Sequence, residues 1–401
     1  FTSDFWVKIN EKTKSFDSFE SAKKNVKEKF MDNMKLHLRS DVDVSSSLSG
    51  GIDSSSIVSM MKYINRDKKF NTFSYISEGK KSEERWIDSV NENINAISNK
   101  IFVSEQNILK EIEKIIEIQE EPFGSTSIYA QYKVFEEASK KNVKVLLDGQ
   151  GADECLCGYE GYPEYYIEDL ILRFKFIKAF KFLKHWRKKF NKKLIDQLRV
   201  ISVSFLHILK IKDLLKSLFY KNPNWILENK ASLNLSKKNN YLPIISNSSL
   251  SSKLYSELFQ ERLQRLLRYQ DKNSMHFSIE SRVPFLTQEF VELLINLPNE
   301  YLMNTEATTK YIFRESMKGI VKENILERKD KVGFETPEIK WMPELWQKVK
   351  EEYLSEVNPP WLDKDKLIKF VDDSLNKHET TPQIWRIINF FVWSKQNKFY
   401  C

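Results

Sequence analysis

Leu48-Ser49-Gly50-Gly51-Ile52-Asp53-Ser54-Ser55 separates two runs of different period. Before it, Val42 to Leu48 reads as a short strand; after it, Ser55 to Tyr63 reads as a helix. A glycine pair at such a junction lets the backbone approach an anion closely and tolerates positive φ. Backbone N–H groups at a helix start point at negative charge, and Ser49, Ser54 and Ser55 add hydroxyl donors. The carboxylate of Asp53 makes sense beside a phosphate only when a cation joins it, which points to Mg2+. The Walker lysine is missing, so this is not the GxxxxGKS/T loop. The plainer alternative is a Ser/Gly-rich turn in which Asp53 caps the helix.

Outward from this turn the chain alternates between strand and helix signals. Residues 21–40 predict a helix, with apolar Val26, Phe30, Met34 and Leu38 at four-residue steps. Phe70 to Ile76 reads as a second strand, Glu83 to Ile94 as a helix, and Ile101 to Val103 as a third strand. Ile108 to Ile118 and Tyr129 to Lys140 read as helices, and Val143 to Leu147 as a buried strand running into Asp148-Gly-Gln-Gly-Ala-Asp-Glu154. This pattern predicts an α/β fold, a parallel sheet with helices on both faces. After Tyr166 the strand signals fade, and the rest reads as helices with loops at Asn222–Asn224 and Pro359-Pro360. Internal repeats and low-complexity tracts are absent. The expected organisation is a lead-in over residues 1–20, an α/β core over 21–165, a basic helical insertion over 166–250 and a helical part over 251–401. Ligands of open parallel sheets bind beyond the carboxyl ends of the strands. Segments 48–54 and 148–154 sit at such ends, which nominates them as one site.

Composition narrows the class. The 401 residues include 9 Trp, 16 Tyr and 27 Phe, too many aromatics for a disordered chain. Ten Gly and 11 Pro exclude collagen-like and linker-rich designs. Three Cys argue against a disulfide scaffold and fit a reducing, cytoplasmic setting. The apolar stretch Val200 to Leu209 is bounded by Arg199 and Lys210, far short of the ~18–20 residues that span a bilayer. Net charge is +8, from 64 Lys+Arg against 56 Asp+Glu. Residues 171–230 alone hold 16 basic and 3 acidic residues, a balance of +13, which leaves the rest of the chain at −5. Within this segment aromatic and aliphatic residues recur every three or four positions between lysines, as in an amphipathic helix. A membrane-surface helix, an RNA-facing patch and a partner-binding helix are the functional readings. A solvated insertion packed on the body is the favoured one, because charge runs are usually solvated faces.

The octapeptide at 48–55 resembles the SGGxDS pyrophosphate loop of ATP pyrophosphatases, which split ATP between its α and β phosphates and adenylate a carbonyl oxygen. Val145 to Tyr159 is similar to the GxGxDExxxGY segment of asparagine synthetases. Leu267 to Met275 and Ser278 to Leu286 resemble that family's D-x-x-SM and E-x-R-x-PFL segments. Asn324 to Pro337, with Trp341, is similar to its R-x-x-K-x-GF-x-x-P-x-x-x-W segment, and Ile384 to Trp393 resembles its ending. The resemblance covers nearly the whole chain except the basic insertion. It implies an adenine nucleotide α-hydrolase-like PP-loop core and a helical C-terminal part that completes a synthetase site.

The resemblance further implies ATP and Mg2+ as cofactors, with pyrophosphate leaving into Ser49, Gly50, Gly51, Asp53, Ser54 and Ser55. Asp153 offers a second carboxylate for the same Mg2+ as Asp53; an acidic pair at a helix start is the plainer reading of Asp153 and Glu154. Adenine and ribose contacts fall on Leu48, Tyr75, Asp148 and Gly149. Lys331 matches the family's active-site lysine, where an ammonium stabilises an oxyanion and nearby phosphate charge. Lys329 is a weaker candidate, and Arg282 with Glu280 reads as a structural ion pair. The implied partners are a small carboxylate, aspartate by default, and ammonia drawn from glutamine by a glutaminase domain. Phe1 to Ile9 looks like the join that follows such a domain. The resemblance leaves room for a homodimer and predicts neither nucleic acid nor a transmembrane segment.

Three departures stand out. Gln150 replaces a glutamate thought to manage the ammonia proton, and glutamine cannot act as a base. Amidation of another carboxylate, such as a surface-polysaccharide sugar acid or a β-lactam or lasso-peptide precursor, is therefore the runner-up. Asp148 stands where a small residue is common. Cys155 and Cys157 replace apolar and small residues and read as packed thiols, because CxC without further ligands is a poor zinc site. A tRNA-modifying ATP pyrophosphatase and a catalytically dead binding module are the other classes; the Gly151–Tyr159 and Ser278–Leu286 motifs argue against the first, and intact Asp53, Asp153 and Lys331 against the second.

Overall fold

A computed structural model describes residues 16, 18–77, 82–189, 193–208, 223–227, 248–328, 336–379 and 381–400. The expected extended piece at Phe5 to Ile9 lies outside the described residues, as do Lys329 and Lys331.

Five parallel strands form one sheet in the order β3-β2-β1-β4-β5. They are β1 (Val44–Ser47), β2 (Asn71–Tyr75), β3 (Ile97–Ile101), β4 (Val145–Leu147) and β5 (Glu280–Arg282). Ser46 aligns with Thr72 on one side and Leu147 on the other, and Leu147 aligns with Arg282. The chain therefore builds outward from β1 through β2 to β3, then crosses back to place β4 on the other side of β1. That reversal makes the β1/β4 boundary a topological switch point, where the loops leaving two adjacent strands part and open a crevice. The loops leaving β1 and β4 are segments 48–54 and 148–154.

Two expectations need correction. The third strand covers Ile97–Ile101 rather than Ile101 to Val103. Ser98, Asn99 and Lys100 disguise it, and as an edge strand it tolerates polar side chains because one side of it meets water. Strands also do not end at Tyr166: β5 reads Glu-Ser-Arg, a charged three-residue edge piece with no hydrophobic alternation to betray it.

Helices cover both faces. They begin with α1 (Phe19–His37), α2 (Ile52–Ile64), α3 (Glu84–Ile94), α4 (Glu105–Gln119), α5 (Ser127–Lys140) and α6 (Ala152–Leu156). The basic region holds α7 (Tyr162–Leu172), α8 (Phe176–Lys189) and α9 (Leu194–Ile208). Ser18 caps α1 by accepting from the Ser21 amide, 3.1 Å away, which explains why the helix starts after a polar lead-in.

Successive side chains of a strand point to opposite faces, and the core divides accordingly. Val145 and Leu147 face one hydrophobic cluster, with Val26, Phe30, Ile57 and Ile87. Leu146 faces the other, with Phe73, Ile112, Tyr129, Trp341 and Trp385. Later segments serve both clusters: Phe285, Phe290 and Phe313 join the first, and Trp341, Trp346 and Trp385 the second. No helix among the described residues is long and apolar enough to cross a membrane.

Candidate active site

The turn after β1 is held from three directions. Leu48 is buried, and its amide donates to the Phe73 carbonyl, 2.9 Å away, which ties the turn to β2. Ser54 accepts at its hydroxyl from the Ser49 amide at 3.1 Å and lies 3.1 Å from the Ser49 hydroxyl, closing the loop on itself. Gly50 has φ +70°, and a Cβ there would lie 2.8 Å from Trp86 Cβ, so both conformation and space demand glycine. Arg328 braces the far side. Its guanidinium donates to the Gly50 carbonyl at 2.8 Å and to Glu83 at 2.5 Å, and stacks over Trp86.

The first turn of α2 begins at Ile52, so the Asp53 and Ser54 amides lie where main-chain N–H groups lack intrahelical carbonyl partners, while the Ser55 amide already donates to the Gly51 carbonyl at 3.0 Å. Ser55 is fully buried, and its hydroxyl finds no hydrogen-bond partner among the described residues. A buried unpaired hydroxyl beside such amides is a polar lining that a phosphate oxygen can satisfy. Asp53 leads this helix but does not cap it: the position before α2 is Gly51, which has no side chain to donate or accept.

The second loop approaches the first closely. A Cβ on Gly149 would lie 3.2 Å from Asp53 Cβ and 3.4 Å from the Ser54 amide nitrogen. Glycine there is what lets the two loops touch. Asp148 is buried, accepting from the Ser47 hydroxyl at 2.7 Å and from the Gln150 amide at 3.1 Å. Burial raises its carboxyl above the ordinary range, against the pull of those hydrogen bonds. The departure from a small residue is thus accommodated by Ser47, one strand away. Tyr75 is buried at the carboxyl end of β2, beside the same crevice.

Asp153 lies in the first turn of α6. Its carboxylate meets Lys310 Nζ at 2.5 Å, and the same ammonium lies 2.6 Å from both carboxylate oxygens of Asp53. Lys310 is 2% exposed and sits in the left-handed region (φ 54°), its amide donating to the Leu156 carbonyl at 3.2 Å. The expectation that Asp53 and Asp153 face one cation thus meets a residue that sequence reasoning missed. The signal was weak: a lysine directly before the apolar run Tyr311-Ile312-Phe313, with Arg314 one turn on. Arg314 is buried too, donating to the Thr309 and Leu326 carbonyls, and burial lowers its pKa.

Two carboxylates aimed at one point are a donor set that magnesium uses together with phosphate oxygens and water. They fit a divalent ion in that way. Among the described residues no group of three or more His, Cys, Asp or Glu is placed to hold a metal unaided. Glu154 turns away, accepting from the Tyr159 hydroxyl at 2.7 Å, with burial raising its carboxyl. Cys155 and Cys157 are buried free thiols, and burial pushes both upward in pKa, as expected of packed rather than reactive cysteines. Arg282 and Glu280 form the expected ion pair, 2.8 Å apart on β5, while Arg282 also donates to the His37 and Arg39 carbonyls.

The asparagine synthase family model matches residues 25–395. The chain is similar to glutamine-hydrolyzing asparagine synthetase 1 of Bacillus subtilis (strain 168), with 28% identity over 396 residues, covering 93% of this chain and 59% of that protein. Glutamine-hydrolyzing asparagine synthetase 3 of the same organism is 26% identical over 351 residues, 80% of this chain and 49% of its own length. A putative glutamine-hydrolyzing asparagine synthetase 2 of Methanocaldococcus jannaschii is 37% identical over 149 residues, 37% of this chain and 29% of its own length. The chain thus spans about half the length of the first two of these relatives. The matched region runs from α1 through both site loops and Lys310 to the last helix, and the chain belongs to the asparagine synthase family.

Proposed function

We propose that this chain is the synthetase part of an amidotransferase: it adenylates a carboxylate with ATP and converts the adenylate to an amide with ammonia, releasing AMP and pyrophosphate. The observation that carries this reading is the meeting of the two loops at Gly149 and Asp53, with Asp53 and Asp153 turned to a shared cationic point.

In this reading a carboxylate oxygen of the acceptor attacks the α phosphorus, and the bond to the β phosphate breaks. Pyrophosphate leaves into the turn formed by Ser49, Gly50, Gly51, Asp53, Ser54 and Ser55, whose amides and hydroxyls replace its water. Asp53 and Asp153 would hold Mg2+, which when bound would neutralise phosphate charge. Leu48, Tyr75, Asp148 and Gly149 line the adenosine side. Ammonia then attacks the acyl carbon, AMP departs, and the surplus proton passes to solvent, since Gln150 cannot take it. Lys331 stabilises the tetrahedral oxyanion and the neighbouring phosphate charge. Lys310 tethers the two aspartates, so that the crevice does not hold two uncompensated charges.

Aspartate is the default acceptor. Gln150 favours a second reading, another carboxylate such as a sugar acid or a peptide or β-lactam precursor. The ammonia comes from glutamine through a glutaminase unit, the enzyme works in the cytoplasm, and a homodimer is accommodated. The residue blocks 21–165, 166–250 and 251–401 are proposed as core, basic insertion and site-completing part.

The test is pyrophosphate release with ATP, ammonium and a panel of carboxylic acids. Release with aspartate supports the default; release only with another acid replaces aspartate by that acid. Asp53→Ala releasing pyrophosphate at the wild-type rate would refute the metal assignment. Lys331→Ala is expected to lower the rate by roughly a hundredfold or more, the scale set by removing one oxyanion donor.

A further inference from the structure

The basic insertion contributes nothing to the chemistry above, yet its surface is unusual. From Arg173 to Lys189 the chain holds eight Lys+Arg and no Asp or Glu. Helix α8 buries one face through Ala179, Phe182, Leu183 and Trp186, spaced as one side of a helix. The opposite face is not uniformly polar. Phe176, Ile177 and Phe180 are 56%, 76% and 70% exposed, and Phe174, in the left-handed region just before the helix, is 81% exposed. One to three turns further on, the same outward stripe carries exposed Lys184, Arg187 and Lys188, with Lys181 beside it. The structure gives none of these four cations a carboxylate partner among the described residues, whereas Lys175 and Lys178 lie within 4 Å of Glu300. Helix α9 also turns apolar side chains outward, with Leu194, Ile195 and Leu198 all more than half exposed.

Exposed apolar side chains gathered in one patch, rather than scattered singly, mark an interaction surface. Base stacking needs flat rings, which Ile177, Leu194, Ile195 and Leu198 do not offer. An acyl boundary accepts aliphatic and aromatic groups alike, and a negative headgroup layer matches cations that have no protein counter-ion. We infer that α8 docks this protein on an anionic membrane surface, with Phe174, Phe176, Ile177 and Phe180 entering the headgroup boundary and Lys181, Lys184, Arg187 and Lys188 resting on acidic headgroups. The attachment is peripheral, since the helix has 14 residues and one face of it, four residues, is buried in the protein.

The experiment is co-sedimentation of the 401-residue chain with vesicles of phosphatidylcholine alone and of phosphatidylcholine mixed with phosphatidylglycerol. Binding is expected only to the mixed vesicles and weakens as salt rises. K184E/R187E/K188E is expected to weaken it by roughly a hundredfold or more, and F176S/I177S/F180S by at least about tenfold. Both variants change exposed side chains only, so circular dichroism and melting should match wild type; the single substitution I177S gives the same direction should the triple variant misfold. Equal sedimentation with both vesicle types overturns the inference, as does no binding to either. Unchanged binding of F176S/I177S/F180S also overturns it, because simple charge attraction would then suffice. Binding of single-stranded RNA without vesicle binding would assign the surface to nucleic acid instead.

Discussion

An ammonium closed between two carboxylates loses water on three charged groups, and only contact on every side offsets that loss. Lys310 meets this condition, with three carboxylate oxygens at 2.5–2.6 Å. Truncating one member of such a cluster leaves like charges facing each other in a poorly solvated place. Lys310→Met should therefore lower unfolding free energy by about 3–5 kcal/mol in urea titration. Magnesium chloride should restore part of that loss in the variant and change wild type less, because the emptied point suits a divalent ion. Absence of any recovery in magnesium would show that the two aspartates do not form a metal site. Gly158 tests the same packing without touching charge. A Cβ there would overlap the Asp153 carboxylate and crowd Lys310 Cε. Gly158→Ala should cost about 1–3 kcal/mol and lower pyrophosphate release by more than its stability loss explains, read from kcat at a temperature where the variant stays folded. Asp53 and Asp153 were legible in the sequence because each lies in a short motif of glycines and acids. Lys310 was not, because its partners are 257 and 157 positions away and its own neighbours are ordinary core residues.

At the scale of elements, α3 and the Arg328 segment decide how firmly the Ser49–Ser55 turn is held. Trp86 of α3 fills the space a Gly50 side chain would need, and Arg328 ties the Gly50 carbonyl to Glu83. Arg328→Met removes that brace while keeping chain length, and should raise the KM for ATP by about tenfold, the scale of a small misplacement in a positioning contact. An unchanged KM would mean that the turn holds its shape without the arginine. Helix α1 offers a pH test. His37 ends it, with Nε2 buried and without a partner among the described residues, and burial, then the nearby Arg282 charge, lowers its pKa from 6.5. A histidine lowered on folding leaves full stability above the unfolded value and loses it as pH falls below 6.5 towards the folded value. The urea midpoint should drop between pH 7.5 and pH 5 in wild type, and the part of the drop due to this ring should vanish in His37→Leu. Four-residue periodicity made α1 readable in advance, since it buries one apolar face, and a continuous apolar run did the same for β4, which is buried on both faces. The weak edge strands β3 and β5 were misread because edge position, not side-chain pattern, decides that they pair.

On the scale of the whole molecule, the sheet is completed by β5, whose Ser281 pairs with Leu146 from 135 positions away (281 − 146). No local signal could announce such a pairing, because loop closure over that distance is driven by the packing it permits rather than by the residues that pair. The alternating part of the chain gave away the doubly covered sheet, while the helical remainder hid that it supplies half of both cores. Phe30 of α1 shows the dependence most directly. Its ring packs 5.1 Å from Phe285, 5.7 Å from Phe290 and 5.2 Å from Phe313, and Asn33 donates to the Pro284 carbonyl at 3.2 Å. The site follows the same plan, with Asp53 and Asp153 from the first half and Lys310 from the second. A chain ending at residue 248 would expose the apolar faces of α1 and β4 and lack β5, so it should neither melt cooperatively nor stay soluble. Co-expression with residues 249–401 should restore soluble, cooperatively melting material if the two parts fold as one core. Phe30→Ala in the intact chain should cost about 3–5 kcal/mol, measured by denaturant titration. A soluble, cooperatively folding 1–248 fragment would instead make the alternating half an independent domain and confine the second half to completing the site.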